Sequence, residues 1–331
     1  MDIDFVMLWV DGGDPAWRAE KRKYSPDAGT DDSEVRYRDW DLLRYWFRGV
    51  EKYAPWVRKI HFVTWGHVPS WLDLDNPKLH FVKHEDYIAA EKLPLFNSSS
   101  LEIQIHKIEG LAEHFVYFND DMFPIQPLRP EMFFQNGLPC DMMAFQPVVA
   151  NPSNPVMSYL FLNNSVILSK HFDKRTCVKQ HPGHFFKLGY PLMYFVYNLL
   201  EMAFPLFTGF YDVHGPAPFL KSTIEKVWEE EGEVLEAASH IRFRSKEDVN
   251  QYLFREWQKL SGEFVPTNVH KYLGYYELND DNEALLKAIT GQKKPFICIN
   301  DTNPVADFEA VQSSVQRAFE VHLGERSSFE K

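Results

Sequence analysis

The run FVYF at residues 115–118 ends in Asn119, Asp120 and Asp121, with Pro124 close behind. Adjacent carboxylates repel, and one of them becomes harder to ionise unless a positive charge relieves the pair. A divalent cation takes such oxygen ligands from a strand end without moving the backbone. The plainer alternative is that the two acids turn the chain at the surface. Asp11, in the DGGDP that closes DFVMLWV, and Asp301, which follows FICIN, stand at comparable strand ends. His106 comes four residues after Glu102, so on a helix the two side chains share a face. A neutral imidazole there accepts a proton from a hydroxyl near pH 7; equally, Glu102 caps its helix and His106 is an ordinary surface residue. Arg36, Arg38, Arg44, Arg48 and Arg58 crowd the start of an acidic chain, and guanidinium groups grip phosphate in a fork. Arg44 and Arg48 also suit the solvent face of a helix. His214, in YDVHGPAPF, and Arg242 and Arg244, in HIRFRSKED, are further anion-binding candidates. The sequence holds neither a Walker A loop nor a GxGxxG fingerprint, and its histidines lack HExxH spacing.

The elements that must position these groups alternate. DFVMLWV, KIHFVTW, KLHFVKH, FVYF and FICIN read as strands. In WDLLRYWFRGVEKYAPW, Leu42, Leu43, Trp46, Phe47 and Val50 fall at helical spacing, with Asp41, Arg44, Arg48 and Glu51 opposite. FNSSSLEIQIHKIEGLAEH is predicted as a second helix carrying Leu101, Ile105, Ile108 and Leu111, with Ser99 and Glu102 at capping-box spacing. Val311, Val315, Phe319 and Leu323 form the stripe of a terminal helix, while WRAEKRKYSPDAGTDDSEVRYRD reads as a polar excursion. Strands alternating with helices favour an α/β domain with a largely parallel sheet, in which ligands sit beyond the carboxyl ends of the strands. The expected division is an α/β core over 1–160, a mostly helical subdomain over 161–265 and a C-terminal segment, 266–331, returning to the core.

Composition narrows the function. The 331 residues, 45% apolar and 15% aromatic, suffice for a large core. A net charge of −12 argues against a generic nucleic-acid surface but not against an anionic substrate held by local arginines. Cys140, Cys177 and Cys298 are odd in number and far apart, which suggests neither a disulfide framework nor a zinc knuckle and fits a reducing compartment. MDIDFVMLWVDGGDP lacks the basic start of a secretory signal. LGYPLMYFVYNLL, residues 188–200, is short for a membrane span and is read as a buried helix in preference to a membrane contact.

Taken together, these stretches resemble the Stealth family, which contains bacterial capsular and exopolysaccharide phosphotransferases and the catalytic subunit of lysosomal N-acetylglucosamine-1-phosphotransferase. FVMLWVDGGDP is similar to its first conserved region. RYRDWDLLRYWFRGVEKYAPWVRKIHFVTWGHVPSWLDLDNPKLHFVKHEDY, followed by FNSSSLEIQIHKIEGLAEHFVYFNDDMF, is similar to the second. HFDKRTCVKQHPGHFF, the surroundings of His214 and FRSKED resemble the third, and CINDT the fourth. The resemblance implies transfer of a sugar 1-phosphate from a UDP-sugar to an oligosaccharide or polysaccharide hydroxyl, with release of UMP. The expected fold is a Rossmann-like, GT-A-like nucleotide-sugar transferase core with the helical subdomain that the pattern gives, and the net charge leaves no nucleic-acid partner expected. The expected place is cytoplasmic, with peripheral attachment at the inner face of the plasma membrane beside polysaccharide assembly machinery left open.

On that resemblance, Asp120 and Asp121 are expected to hold Mg²⁺ or Mn²⁺, and His106 to take the acceptor's proton. Asp11 and Asp14 are expected to hold the nucleotide or share the metal. Arg38, Arg44 and Arg242 would steady phosphoryl oxygens, Asn97 and Glu102 would orient acceptor or imidazole, His214 would bind substrate, and Asp301 would close the site. The rival readings are a metal-dependent glycosyltransferase releasing UDP and a non-catalytic carbohydrate-binding protein that stacks sugars on Trp9, Trp17, Trp40, Trp46, Trp65 and Trp71.

Overall fold

The structure, a computed structural model, describes residues 1–25, 39–301 and 305–331; Arg36 and Arg38 lie outside the described residues. Along the first half of the chain come β1 (Ile3–Leu8), α1 (Pro15–Tyr24), α2 (Leu43–Tyr53), β2 (Ile60–Thr64), β3 (Leu79–Lys83), α3 (His84–Tyr87), α4 (Ser98–Glu102), β4 (His114–Phe118), β5 (Met122–Pro124), β6 (Phe134–Gln135) and β7 (Leu138–Asp141). Then follow α5 (Pro155–His171), α6 (Lys174–Gln180), α7 (Pro182–Phe185), α8 (Leu192–Glu201), β8 (Ala217–Leu220), α9 (Lys221–Ser239), α10 (Tyr252–Leu260), β9 (Val265–Pro266), β10 (Leu273–Glu277), α11 (Glu283–Thr290), β11 (Phe296–Asn300) and α12 (Phe308–Leu323).

The main sheet has the order β3-β2-β1-β4-β8, parallel except for β8 at the edge. Side chains alternate across it, as a pleated strand requires. Phe5, Met7, Phe62, Val116 and Phe118 enter one apolar cluster with α2, α11 and α12, while Val6, Val63, Phe115 and Tyr117 enter another with α9 and α10. Burial on both faces is why these strands read as continuous apolar runs. Order reverses between β1 and β4, and the crevice at such a switch point, outside the carboxyl ends, is where sheets of this kind take ligands.

After Phe118 the chain leaves this sheet. Asn119–Asp121 bridge to β5, which pairs antiparallel with β11 in a second sheet of order β10-β11-β5. Pro124 is thus a strand residue opposite Phe296 and not a simple stop. A third small sheet has the order β6-β7-β9.

Several expectations need correction. Part of the polar excursion is α1, with Asp14 accepting from the Ala16 and Trp17 amides, Pro15 in the first turn and Lys21, Arg22 and Lys23 in the last. The second expected helix stops at Glu102, and a 3₁₀ turn follows at Ile105–Lys107. Its cap is Asn97, not Ser99, and Gln104 donates to the Ser100 carbonyl while Ser100 Oγ donates to Ala238 and Ile241 carbonyls. Polar side chains here compete for the backbone, so the helical periodicity does not continue. The stretch expected to be mostly helical also supplies β8. The 188–200 stretch is helical in α8 but not buried: Leu192 is 77% exposed and Leu200 61%. Trp17, Trp40 and Trp46 are core residues, which removes them from any sugar-stacking surface.

Two expected phosphate-binding arginines serve the fold. Arg48 is buried, with Nε and Nη2 each 2.7 Å from the Glu330 carboxylate, and pins the C-terminus to α2. Arg58 donates to the buried Asp4 through Nε (2.8 Å) and Nη2 (2.5 Å), while Ala112 N–H donates to Asp4 and His61 Nε2 lies 2.9 Å away. Burial alone would raise the Asp4 carboxyl, but His61, Arg58 and Ala112 hold it below the ordinary range. The folded value lies below the unfolded one, so its stabilisation is present above the ordinary aspartate range and lost as pH falls through the folded value. Asp4→Asn should lower unfolding free energy at pH 7 by on the order of 2 kcal/mol, because Arg58 keeps some solvent contact. Urea titrations of parent and variant should show the gap at neutral pH and its closure in acid.

Candidate active site

The bridge from β4 to β5 fixes Asp121 from three directions. Its carbonyl accepts from Ile299 N–H at 2.8 Å, tying it to β11. Its Oδ2 lies 2.8 Å from His214 Nε2 and accepts from the Cys298 thiol at 3.3 Å. Its Oδ1 is buried and, among the described residues, has no hydrogen-bond partner. Burial opposes charge on His214, yet the Asp121 carboxylate overrides it and raises the imidazole above its usual range. Cys298, pushed well up by burial and then by Asp121, stays a thiol and acts as a donor.

Asp120 is exposed at the strand end, yet desolvation by its surroundings and then the charge of Asp121, with Asp39 adding to it, push its carboxyl up to about 7. Asp39 is itself raised by desolvation and by Asp41 and Asp11. Asp301, two residues past Ile299, accepts from Trp40 Nε1 at 2.6 Å. Asp11 follows β1, whose Met7 pairs with Phe118, at the same sheet edge. Its Oδ1 accepts from Gly13 N–H at 2.8 Å and its own N–H donates to His67 Nε2 at 2.8 Å. Accepting there leaves the proton of neutral His67 on Nδ1, 3.3 Å from Asp14 Oδ2.

The donor set suits a hard cation. Asp120 and Asp121 are adjacent and electrostatically coupled, and Asp121 Oδ1 is buried without a partner among the described residues; a divalent ion held there would relieve both costs. Asp121, His214 and Cys298 also offer one ligand atom each within 4.8 Å of one another. The protonated thiol and the Asp121–His214 hydrogen bond favour their reading as partners that orient Oδ2, with Oδ1 left for the ion.

Not every expected residue joins this cluster. Asn97 is fully buried, capping α4 and donating to Asp248 Oδ1 at 2.9 Å. One Asp14 oxygen caps α1. Arg44 reaches Asp41 Oδ1 at 3.3 Å and sits over the Trp71 ring at 5.7 Å, with its Nε buried and unpartnered. Arg242 is exposed over Tyr24, at 4.9 Å. Glu102 connects indirectly: Tyr117 Oη is 2.7 Å from Asn119 Oδ1 and 3.2 Å from Glu102 Oε1. Burial raises Glu102, against the nearby Arg244 charge. Tyr117 Oη is the donor to both, so it links Glu102 to Asn119 beside the acids.

His106 stands elsewhere. It packs on Trp228 at 5.6 Å, and burial, then Lys107 and Lys221, lowers it to about 4. Lys221 N–H bonds Glu113 O, before β4, whereas Asp120 lies beyond its other end. The five residues of β4, at about 3.3 Å each, separate the two. A depression of about 710 Å³ lined by Met1, Arg58, Gly110 and His114 lies at that same far edge. Asp39 and Cys298 are the residues that sequence reading passed over; Asp39 was signalled only by its place beside Arg38 and Trp40, Cys298 by its place in the CIND stretch.

An α/β protein whose switch point is lined with acids and carries a carboxylate–imidazole pair has the groups that phosphate-ester chemistry uses. Comparison supports that chemistry: Stealth protein conserved region 1 matches residues 1–29 and conserved region 2 matches residues 36–141. The chain is 40% identical to the capsular polysaccharide phosphotransferase WcwK of Streptococcus pneumoniae over 100% of this chain and 99% of that protein. It is 40% identical to the receptor polysaccharide phosphotransferase WefC of Streptococcus gordonii, over 99% and 98%. To the exopolysaccharide phosphotransferase cps2G of Lactiplantibacillus plantarum it is 37% identical, over 100% and 96%. The chain belongs to the Stealth family and is a phosphotransferase.

His214→Gln should lower turnover by about a hundredfold or more, in the range of a lost general base. His106→Gln should leave it near the parent value, and steady-state assays of both variants check the contrast.

Proposed function

We propose that the enzyme moves a hexose 1-phosphate from a UDP-sugar to a hydroxyl of an acceptor glycan during capsular or exopolysaccharide synthesis in the cytoplasm. The division of labour on Asp121 carries this reading: Oδ2 is held by His214 and Cys298 while Oδ1 is buried with no partner among the described residues. Full-length similarity to polysaccharide phosphotransferases supports it.

In this reading the acceptor oxygen bonds to the sugar-side phosphorus, the bond from that phosphorus to the bridging oxygen breaks, and UMP leaves with the electron pair. Mg²⁺ or Mn²⁺, held by Asp120 and Asp121, supplies charge neutralisation of the diphosphate. His214 receives the acceptor proton on Nδ1, because its Nε2–H is committed to Asp121, which also keeps the ring oriented. This assignment replaces His106. Arg44 and Arg242, which stand outside the acid cluster among the described residues, and Arg38 are the proposed ligands of phosphoryl oxygens once substrate is bound. Asp11 and Asp301 flank the diphosphate, and Asp14, Asn97 and Glu102 hold the surrounding loops. The Rossmann-like, GT-A-like core is kept as part of the proposal, as are the boundaries near 160 and 265, with β8 counted in the core.

Incubation with a panel of UDP-sugars and oligosaccharides, followed by ³¹P NMR, should give a phosphodiester signal and UMP. Release of UDP with a glycosidic product would sink the reading. Chelation should abolish turnover and added Mg²⁺ or Mn²⁺ restore it, while Asp121→Asn should lose at least about a hundredfold.

A further inference from the structure

Helix α8 is built inside out. Its buried positions, Tyr194, Asn198 and Glu201, fall at i, i+4 and i+7, and two of the three are polar. Asn198 accepts from Phe145 N–H at 2.7 Å and donates to the Met143 and Phe185 carbonyls. Lys174 donates to the Glu201 carbonyl at 2.9 Å and lies 3.5 Å from its carboxylate. Polar groups therefore grip the body, and the outward side is apolar: Leu192, Met193, Val196, Tyr197, Leu199 and Leu200 are all exposed. Leu188, 92% exposed, and Leu206, 70% exposed, flank the helix. A single exposed leucine is unremarkable, but a contiguous apolar face of this kind marks an interaction surface.

Charge selects what covers it. Between residues 170 and 201 the sequence holds Lys170, Lys174, Arg175, Lys179 and Lys187 against Asp173 and Glu201 in a chain of net charge −12. Lys174 is buried on Glu201 and Lys170 is paired with Glu231, which leaves Arg175 and Lys179 as the exposed basic pair beside α8. Arg175 and Lys179 are exposed on α6, whose first residue, Lys174, is bonded to the last residue of α8. An apolar helix face beside a local basic excess matches the interface of an anionic bilayer. A second copy of the chain is disfavoured, because two-fold pairing through this face would bring the same basic surfaces together. Among the described residues no helix is long and apolar enough to cross a membrane, so the helix would lie on the surface.

We propose that α8 docks the enzyme on an anionic lipid bilayer, its outward apolar side entering the headgroup boundary and Arg175 and Lys179 meeting lipid phosphates. Docking stands apart from the phosphotransfer reading; only its consequence rests on that reading. Tyr194, on the buried side of α8, packs on Tyr211 at 4.3 Å and shares a cluster with Val213, next to His214. A docked helix therefore sets the height of the site above the membrane, where a lipid-borne acceptor glycan would be presented.

Sedimentation with vesicles of phosphatidylglycerol and phosphatidylcholine, against phosphatidylcholine alone, tests this without any turnover measurement. The parent should bind the anionic vesicles and release in high salt. A Leu192→Glu, Leu199→Glu double variant should bind at least about tenfold less, and Arg175→Glu, Lys179→Glu should lose the preference for anionic lipid. Unchanged far-UV dichroism of both variants excludes unfolding, since the mutated side chains are exposed. Failure of the parent to bind, or undiminished binding by the leucine variant, would overturn the proposal. So would a parent dimer that binds no lipid and that the leucine variant converts to a monomer, which would assign the face to a second copy.

Discussion

Asp121 is an acid that cannot move. It stands where the chain passes from a parallel sheet into an antiparallel one, its carbonyl bonded across to β11 and one carboxylate oxygen held by His214 and Cys298. Those contacts come from segments far apart in sequence, so the whole α/β frame converges on one side chain. The remaining oxygen is buried without a partner among the described residues, an uncommon cost that is often found where a group binds or catalyses. Neighbouring Asp120 is exposed, but desolvation and the charge of Asp121 hold its carboxyl above the ordinary carboxylate range. A divalent cation at this strand end would relieve the unpaired oxygen and the repulsion between the two acids, and the proposed reading draws on that.

Arginine placement shows how an acidic chain divides its cations between fold and site. Arg48 and Arg58 are spent on Glu330 and Asp4, tying the C-terminus to α2 and the start of β1 to the loop before β2. Arg255 is buried on Asp141, with Nε at 2.5 Å, and donates to the Val213 carbonyl, so it steadies the segment that delivers His214. Charge count alone says nothing of this partition; the partners decide it.

Most of the frame was legible in the sequence because burial on both faces writes itself as uninterrupted apolar runs, and β1, β2, β3, β4 and β11 sit where those runs lie. The terminal helix was equally plain, with Val315, Phe319 and Leu323 buried as their spacing required. Reading failed where side chains compete with the backbone or answer to distant partners. Asn97, Ser100 and Gln104 break the helix after Glu102, which turns His106 toward Trp228 instead of the acids. The four residues of β8 pair with β4 and are stabilised by a neighbour that local pattern cannot reveal. In α8 an apolar run looked like core, but Asn198 and Glu201 face inward. At the site, the acid pair was visible as a doublet, whereas the parts played by Cys298 and Asp39 depend on contacts across more than eighty residues.

The most direct test of the central claim is pulsed electron–nuclear double resonance on Mn²⁺ added to the protein with a UDP-sugar. The account predicts one ordered Mn²⁺ with ³¹P couplings from the diphosphate, both lost in Asp121→Asn. An Mn²⁺ signal indistinguishable from the free ion, or one without ³¹P coupling in the parent protein, would contradict it.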